Sequence, residues 1–282
     1  MSIRMIALDI DGTLAVRGDE ILPRTRRALH RAAAAGVEVV IATGRRYRTT
    51  RRVAAALGLD VHCVSLGGAL VKDPAAATLH RVAFAPEVVA ALVRVLRRSG
   101  HSAIVQRDSA DAGADFLIDG KLPWNGWTSS YMAANQAFAE WRRDLAADRR
   151  DDALVVGAYG TKTALERAAA EARAGLETPL STVVTPLPGG VGAPGGHYLE
   201  VAHADACKWQ GLQFLARHLG MDAAEVCTVG DQVNDLTMIA GAGLGVAMGN
   251  AHPSVQQAAD WVTAANDADG IVDVVERVLA GR

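Results

Sequence analysis

The sequence predicts an α/β fold: a doubly wound parallel sheet whose chain is interrupted by a smaller, inserted α/β cap domain. Three observations predict it. Short apolar, β-branched runs alternate with helical stretches that close on glycine over residues 3–66. That texture changes between about 84 and 195, and the strand–helix rhythm then resumes to the C-terminus. The opening strands are apolar on both faces, which suits a sheet covered by helices on either side. The core is therefore expected to be Rossmann-like, with parallel neighbours joined by right-handed crossovers. The expected limits are 1–83 and 196–282 for the core and 84–195 for the cap.

Taken in order, Ile3 to Leu8 reads as the first strand. Arg24 to Ala35 has helical composition and meets Gly36 in the usual C-cap place. Val37 to Ala42 is the second strand, Arg45 to Leu57 a helix closed by Gly58, and Val61 to Leu66 the third strand. In the cap, Phe84-Ala85-Pro86 opens a helix to about Arg98. Strand-like pieces follow at His101 to Gln106, Asp115 to Ile118, Ala153 to Tyr159 and Ser181 to Thr185, with helices near 136–148 and 162–174. The run from Pro186 to Gly196 is too rich in proline and glycine for helix or central strand. It reads as a loop and hinge returning to the core. Tyr198 to Val201 is then a short strand, Ala204 to Leu219 a helix, and Glu225 to Val229 a strand. A helix near 234–240, a strand at Leu244 to Ala247 and a terminal helix at Ile271 to Ala280 complete the pattern.

Composition narrows the function classes. The chain has 282 residues, half of them apolar, with a formal charge of −2. There is ample material for a core and no global basic field, so nucleic acid is not an expected partner. Cys63, Cys207 and Cys227 are odd in number and scattered, which argues against a disulfide framework or a zinc site. Charges interrupt every apolar run short of a bilayer span, and the N-terminus lacks a leader pattern. The expected setting is the cytoplasm, without membrane contact; oligomeric state is left open.

Four motifs lie at predicted strand ends or on the helix beyond. The first is Asp9-Ile10-Asp11-Gly12-Thr13. Period-two geometry would point both carboxylates the same way and crowd two negative charges into one pocket. Such crowding is costly unless a cation sits between them, and Gly12 permits a sharp turn. The segment reads as a magnesium site with a carboxylate nucleophile, or as a strand followed by a plain Asp-Gly turn. The second is Thr43-Gly44-Arg45, where a hydroxyl beside a helix N-terminus can hold a phosphate oxygen or simply cap the helix. The third is Lys208, which in isolation would be a solvated helical lysine. The fourth is Gly230-Asp231-Gln232-Val233-Asn234-Asp235, whose carboxylates and carboxamide are hard oxygen ligands of the kind magnesium prefers, or else a capped turn. Ligands of open α/β sheets bind beyond the carboxyl ends of the strands, so all four can converge on one crevice.

This ordered set resembles the haloacid dehalogenase superfamily of phosphatases. The late α/β insertion and Gly245-Val246-Ala247-Met248-Gly249-Asn250-Ala251 are similar to its Cof-type branch, with a class IIB cap. One departure is visible: Gly67-Gly68-Ala69 stands where that branch commonly has Asn-Gly-Ala. The resemblance implies that Asp9 attacks phosphorus to form an aspartyl-phosphate, and that Asp11 acts as general acid and then base, entering the cycle protonated. It implies Mg2+ held by the Asp9 carboxylate, the Asp11 backbone carbonyl and Asp231. Ile10, Thr43, Gly44, Lys208 and Asn234 would hold the phosphate, with Lys208 also in the catalytic set, and Asp235 would orient Lys208 and metal-bound water. The implied function is magnesium-dependent hydrolysis of a small phosphorylated metabolite, with sugar phosphates the expected class and the cap choosing the leaving group. A phosphomutase using the same aspartyl-phosphate is the alternative enzyme, and a non-catalytic phosphate-binding regulator the alternative of another kind. Arg45 either faces the substrate or belongs to the arginine-rich helix face of residues 45–52. Trp124 and Trp127 are substrate contacts or cap packing, and His197 and His203 are ligands or structural residues; the residues leave these open.

Overall fold

The computed structural model describes residues 2–109, 113–187 and 194–281. The chain divides into two units. One is assembled from Met1–His80 and Cys207–Arg282, and the other is the insertion Arg81–Ala206.

In the first unit the chain runs through β1 (Met5–Leu8), α1 (Pro23–Ala34), β2 (Glu38–Ala42), α2 (Tyr47–Leu57), β3 (His62–Ser65), β4 (Leu70–Lys72) and β5 (Thr78–Arg81). The insertion carries α3 (Pro86–Arg98), β6 (Ile104–Arg107), β7 (Phe116–Asp119), α4 (Gly126–Asn135), β8 (Ala139–Arg142), β9 (Ala153–Thr161), α5 (Lys162–Gly175), β10 (Leu180–Pro186) and β11 (Gly196–His203). The chain returns through α6 (Lys208–His218), β12 (Val226–Gly230), α7 (Leu236–Gly241), β13 (Leu244–Ala247), α8 (Pro253–Ala258), β14 (Trp261–Val262) and α9 (Gly270–Ala280).

The first unit's sheet has the order β14-β13-β12-β1-β2-β3-β4-β5. Strands from β14 to β3 are parallel and β4 turns back antiparallel. Strand order reverses at β1, the doubly wound arrangement expected. Met5, Ile6 and Leu8 have no exposed surface, and each contributes about 1.5–3 kcal/mol by burial. α1 buries Thr25, Ala28, Leu29 and Ala32, the spacing of one helix face. Register decides what happens at the strand ends. Leu8 is level with both Ile41 and Val229, so β1, β2 and β12 finish together.

The insertion's sheet has the order β10-β11-β9-β6-β7-β8 and is antiparallel except between β7 and β8. α3 and α5 bring Val93, Leu96, Leu165 and Ala169 against Val156, Leu199 and Val201 on one face. α4 brings Met132 into a second cluster with Ile104, Phe116, Ile118 and Tyr159 on alternate strand positions.

Two expectations change in the insertion. Gly196–His203 does not begin the core. It pairs antiparallel with both β10 and β9, so the return to the first unit falls after Ala206. The expected hinge at Pro186 to Gly196 therefore links two strands of one sheet; its residues 188–193 lie outside the described residues. A short alternating strand carries no local mark of the sheet it will join. The helix expected near 136–148 is also replaced: α4 ends at Asn135 and Ala139–Arg142 is a strand. Asn125 sets the earlier start, its side chain accepting a hydrogen bond from the Thr128 amide (2.8 Å). Strands β4, β5 and β14 and helix α8 carried too little local signal to be expected. Among the described residues no helix is long and apolar enough to cross a membrane.

Candidate active site

The site lies where β1, β2 and β12 end, all within the first unit. The Asp9 amide donates to the Val229 carbonyl (3.0 Å), extending the ladder one step beyond β1. The chain then turns: the Thr13 and Ala15 amides donate to the Ile10 carbonyl, and the Leu14 amide to the Asp9 carbonyl. Asp9 is buried by this turn. Gly12 has φ +87°, and a Cβ there would lie 2.8 Å from Asp231 Cγ. Only glycine lets the β12 turn come this close.

Lys208 is the first residue of α6 and is buried. Its Nζ donates to Asp9 Oδ1 and to Asp235 Oδ1, both at 2.6 Å. The loop after β3 makes this possible. Gly68 (φ +109°) has no room for a Cβ, which would sit 2.8 Å from the Lys208 backbone nitrogen. Leu66 is held at φ +51°, a strain of about 1–3 kcal/mol. Hydrogen bonds from the Leu66 amide to the Arg45 carbonyl and from the Gly67 amide to the Thr43 carbonyl hold it there, both at 3.0 Å. Gly67 is itself left-handed at φ +64°, so glycine satisfies the geometry at the position where the sequence departs from its branch.

Asp235 is fully buried, and its Oδ2 accepts from the amides of Asp231 (3.0 Å) and Gln232 (2.9 Å). Asp231 Oδ1 accepts from the Thr13 hydroxyl (2.9 Å) and Oδ2 from the Gln232 side-chain Nε2 (2.8 Å). Asp9, Asp231 and Asp235 each offer an oxygen, and these oxygens lie within 4.8 Å of one another. Burial pushes the Asp9 carboxyl above its ordinary range, Lys208 pulls it back, and Asp235 adds to the rise. Burial likewise raises Asp231 against its bonds from Gln232 and Thr13. Burial opposes the Lys208 charge, but the two carboxylates prevail and its pKa is raised. Three buried carboxylates against one ammonium leave an excess of negative charge that a hard divalent cation fits.

Asp11 departs from expectation. Its carboxylate does not share a pocket with Asp9. The strand ends at Leu8, so two-residue periodicity no longer applies, and 61% of the Asp11 side chain is exposed. Arg45 grips it instead, Nε to Oδ2 at 2.8 Å and Nη2 to Oδ1 at 2.6 Å. The carboxylate cluster thus contains Asp235 and not the Asp11 side chain. Ile10 places no side chain in the site, being fully buried in the core.

Thr43 is buried and does not cap α2, whose N-cap is Arg46; its hydroxyl accepts from the Arg45 amide (3.1 Å). Asn234 Nδ2 lies 4.0 Å from where a Cβ on Gly44 would be, so the second and fourth motifs meet. Arg45 is a site residue and not part of a solvated helix face. Thr13, Gln232, Asn250 and Asn266 also make side-chain hydrogen bonds around the site, and sequence reasoning assigned none of these four a role. Asn250 donates to the Gly12 carbonyl (2.8 Å), and Asn266 donates through its side chain to the Ala15 carbonyl (3.0 Å). Thr13, Gln232 and Asn250 were marked only by their places inside the first, fourth and C-terminal motifs, and Asn266 by nothing. Trp124, Trp127, His197 and His203 belong to the insertion. Trp127 packs with the aromatic cluster beside α4, and His197 Nδ1 is 3.1 Å from the Gly195 carbonyl.

The family model for haloacid dehalogenase-like hydrolases matches residues 6–275. YxeH of Bacillus subtilis strain 168 is 31% identical over 301 residues, spanning 98% of this chain and 99% of its own. The pyridoxal phosphate phosphatase YbhA of Escherichia coli K12 is 27% identical over 290 residues, spanning 98% of each chain. The crystal structure of a haloacid dehalogenase-like hydrolase from Bacteroides thetaiotaomicron has a TM-score of 0.79 at 26% identity, over 98% of this chain and 100% of that one.

Proposed function

The chain belongs to the haloacid dehalogenase-like hydrolases, in their Cof-type branch, and is a phosphatase of small phosphorylated molecules; from this premise we propose that it hydrolyses phosphomonoesters, with sugar phosphates the leading class, by way of an aspartyl-phosphate on Asp9 and with Mg2+. The observation that carries the reading is a buried carboxylate, Asp9, held by a buried ammonium and clustered with Asp231 and Asp235.

An Asp9 oxygen attacks phosphorus and the ester oxygen departs, taking a proton from Asp11. Water, deprotonated by Asp11, then attacks the phosphorus of the aspartyl-phosphate and releases phosphate with Asp9 restored. Lys208 keeps Asp9 aligned and stays protonated throughout, and Asp235 keeps Lys208 in place. Thr43, Gly44 and Asn234 supply polar groups for the phosphoryl oxygens. Asp9 and Asp231 would hold Mg2+ together with the Asp11 backbone carbonyl, and bound there it offsets repulsion between nucleophile and phosphate. We place the protein in the cytoplasm as part of the same reading, since its three free cysteines suit a reducing compartment.

Phosphate release from p-nitrophenyl phosphate and a panel of sugar phosphates, with and without Mg2+, tests this against Asp9→Asn. Magnesium-dependent release that is lost in Asp9→Asn is expected. Equal rates for the two proteins would remove Asp9 as nucleophile.

A further inference from the structure

Arg45 is placed to control the direction of Asp11. Its guanidinium makes four hydrogen bonds, all to the segment that follows β1. Nε and Nη2 take the two Asp11 oxygens, Nη1 donates to Asp19 Oδ1 (2.5 Å), and Nη2 also donates to the Gly18 carbonyl (2.9 Å). Gly18 and Asp19 occupy the tip of a tight turn closed by hydrogen bonds from the Val16 amide to the Glu20 carbonyl and from the Glu20 amide to the Arg17 carbonyl, both 3.0 Å. On its other side the Arg45 backbone is tied to Thr43 and Leu66. The arginine is thus braced at both ends.

We propose that Arg45 is a positioning residue for Asp11, with Asp19 and the Gly18 carbonyl as its brace. The proposal rests on the reading of Asp11 as the acid–base group. Asp9 is aimed by burial, but Asp11 stands on a turn with most of its side chain exposed, where rotamer freedom would scatter the carboxylate. A planar fork that engages both oxygens of the ionised carboxylate removes that freedom, and a lysine point charge cannot reproduce it; when Asp11 carries the proton for the ester oxygen, the fork keeps its bond to the other oxygen. Arg45 is itself only 19% exposed.

A double-mutant cycle separates this role from the alternatives. Arg45→Met and Arg45→Lys are made in the parent and in Asp11→Asn. Single turnovers of a hexose phosphate and of p-nitrophenyl phosphate are followed with enzyme in excess, together with steady-state kcat and KM. Arg45→Met should lower the rate by about 10- to 10²-fold in the parent, as misplacement of a reacting group does. KM should hold within about twofold, and Arg45→Lys should recover little. In Asp11→Asn the same substitution should change the rate by less than about twofold. Asp19→Asn, remote from the carboxylate cluster, should give a smaller loss that also vanishes in Asp11→Asn, and it serves where Arg45→Met does not fold. An equal loss in both backgrounds, a change confined to KM, or no loss at all overturns the proposal. If Asp11→Asn alone turns over like the parent, it is the acid–base reading of Asp11 that fails, an outcome visible apart from the Arg45 result.

Discussion

Replacing Lys208 by Met keeps most of the side chain's volume and deletes the ammonium, with its charge and its hydrogen bonds to Asp9 and Asp235. Lys208 Nζ sits 2.6 Å from Asp9 and 2.6 Å from Asp235, with about 1% of the side chain exposed. At an effective dielectric near 20, each pair is worth about 6 kcal/mol of Coulomb attraction. Desolvation of the three charges cancels most of it, and removing one partner from a buried pair leaves a net cost of about 3–5 kcal/mol. For a domain of this size that lowers the melting temperature by about 10 °C. The assay is thermal unfolding in EDTA at neutral pH, compared between the parent and Lys208→Met. Acidification should narrow the difference, because a protonated carboxyl needs no counter-charge. Adding Mg2+ in place of EDTA should narrow it as well, because a divalent ion restores positive charge among the carboxylates. A variant that melts within a degree or two of the parent, at every pH, would refute the view that Lys208 compensates buried carboxylates.

Other outcomes follow from single contacts. Gly12→Ala puts a Cβ at φ +87° against the Asp231 carboxylate, so phosphatase activity should fall at least about tenfold while overall stability falls by only about 1–3 kcal/mol; activity within twofold of the parent would contradict the close approach. Asp11→Asn should lose about 10²- to 10⁴-fold in turnover, the worth of a positioned acid–base group, with Mg2+ affinity by calorimetry nearly unchanged because only the side chain is altered. Glu200, on β11, is pushed up to about 7 by burial. The unfolded chain loses this proton near 4.5 while the folded insertion keeps it, so the insertion should lose stability as pH rises from about 4.5 to 7. Glu200→Gln should flatten that slope in a denaturant titration series, and an unchanged slope would show that Glu200 is not its source.

Much of this was readable in the chain. Asp9, Lys208, Asp231 and Asp235 all follow short apolar runs or open the next helix, and the structure gathers all four at neighbouring strand ends. The same reasoning failed at Asp11. It extended the strand's two-residue period past Leu8, where the backbone had already turned, and so put two carboxylates into one pocket. It also left Arg45 open, because its partners Asp11 and Asp19 lie 34 and 26 residues away and nothing nearby marks the pairing. The second boundary was misplaced for a related reason. The strand Gly196–His203 looks the same to a local reading whether it pairs with β9 and β10 or starts the core.

What the sequence determined alone were features set within a few residues: alternating apolar runs, glycines where helices stop, and acidic or hydroxyl residues placed just past strands. Those rules are local, since period, capping and turn geometry act over one or two turns of chain. The tertiary structure decided which strand ends were level, how deeply Lys208 was buried, and which acid Arg45 would hold. Each of these depends on register and packing between segments far apart in the chain. A glycine such as Gly68, whose missing Cβ admits the start of α6, shows its purpose only once both segments are in place.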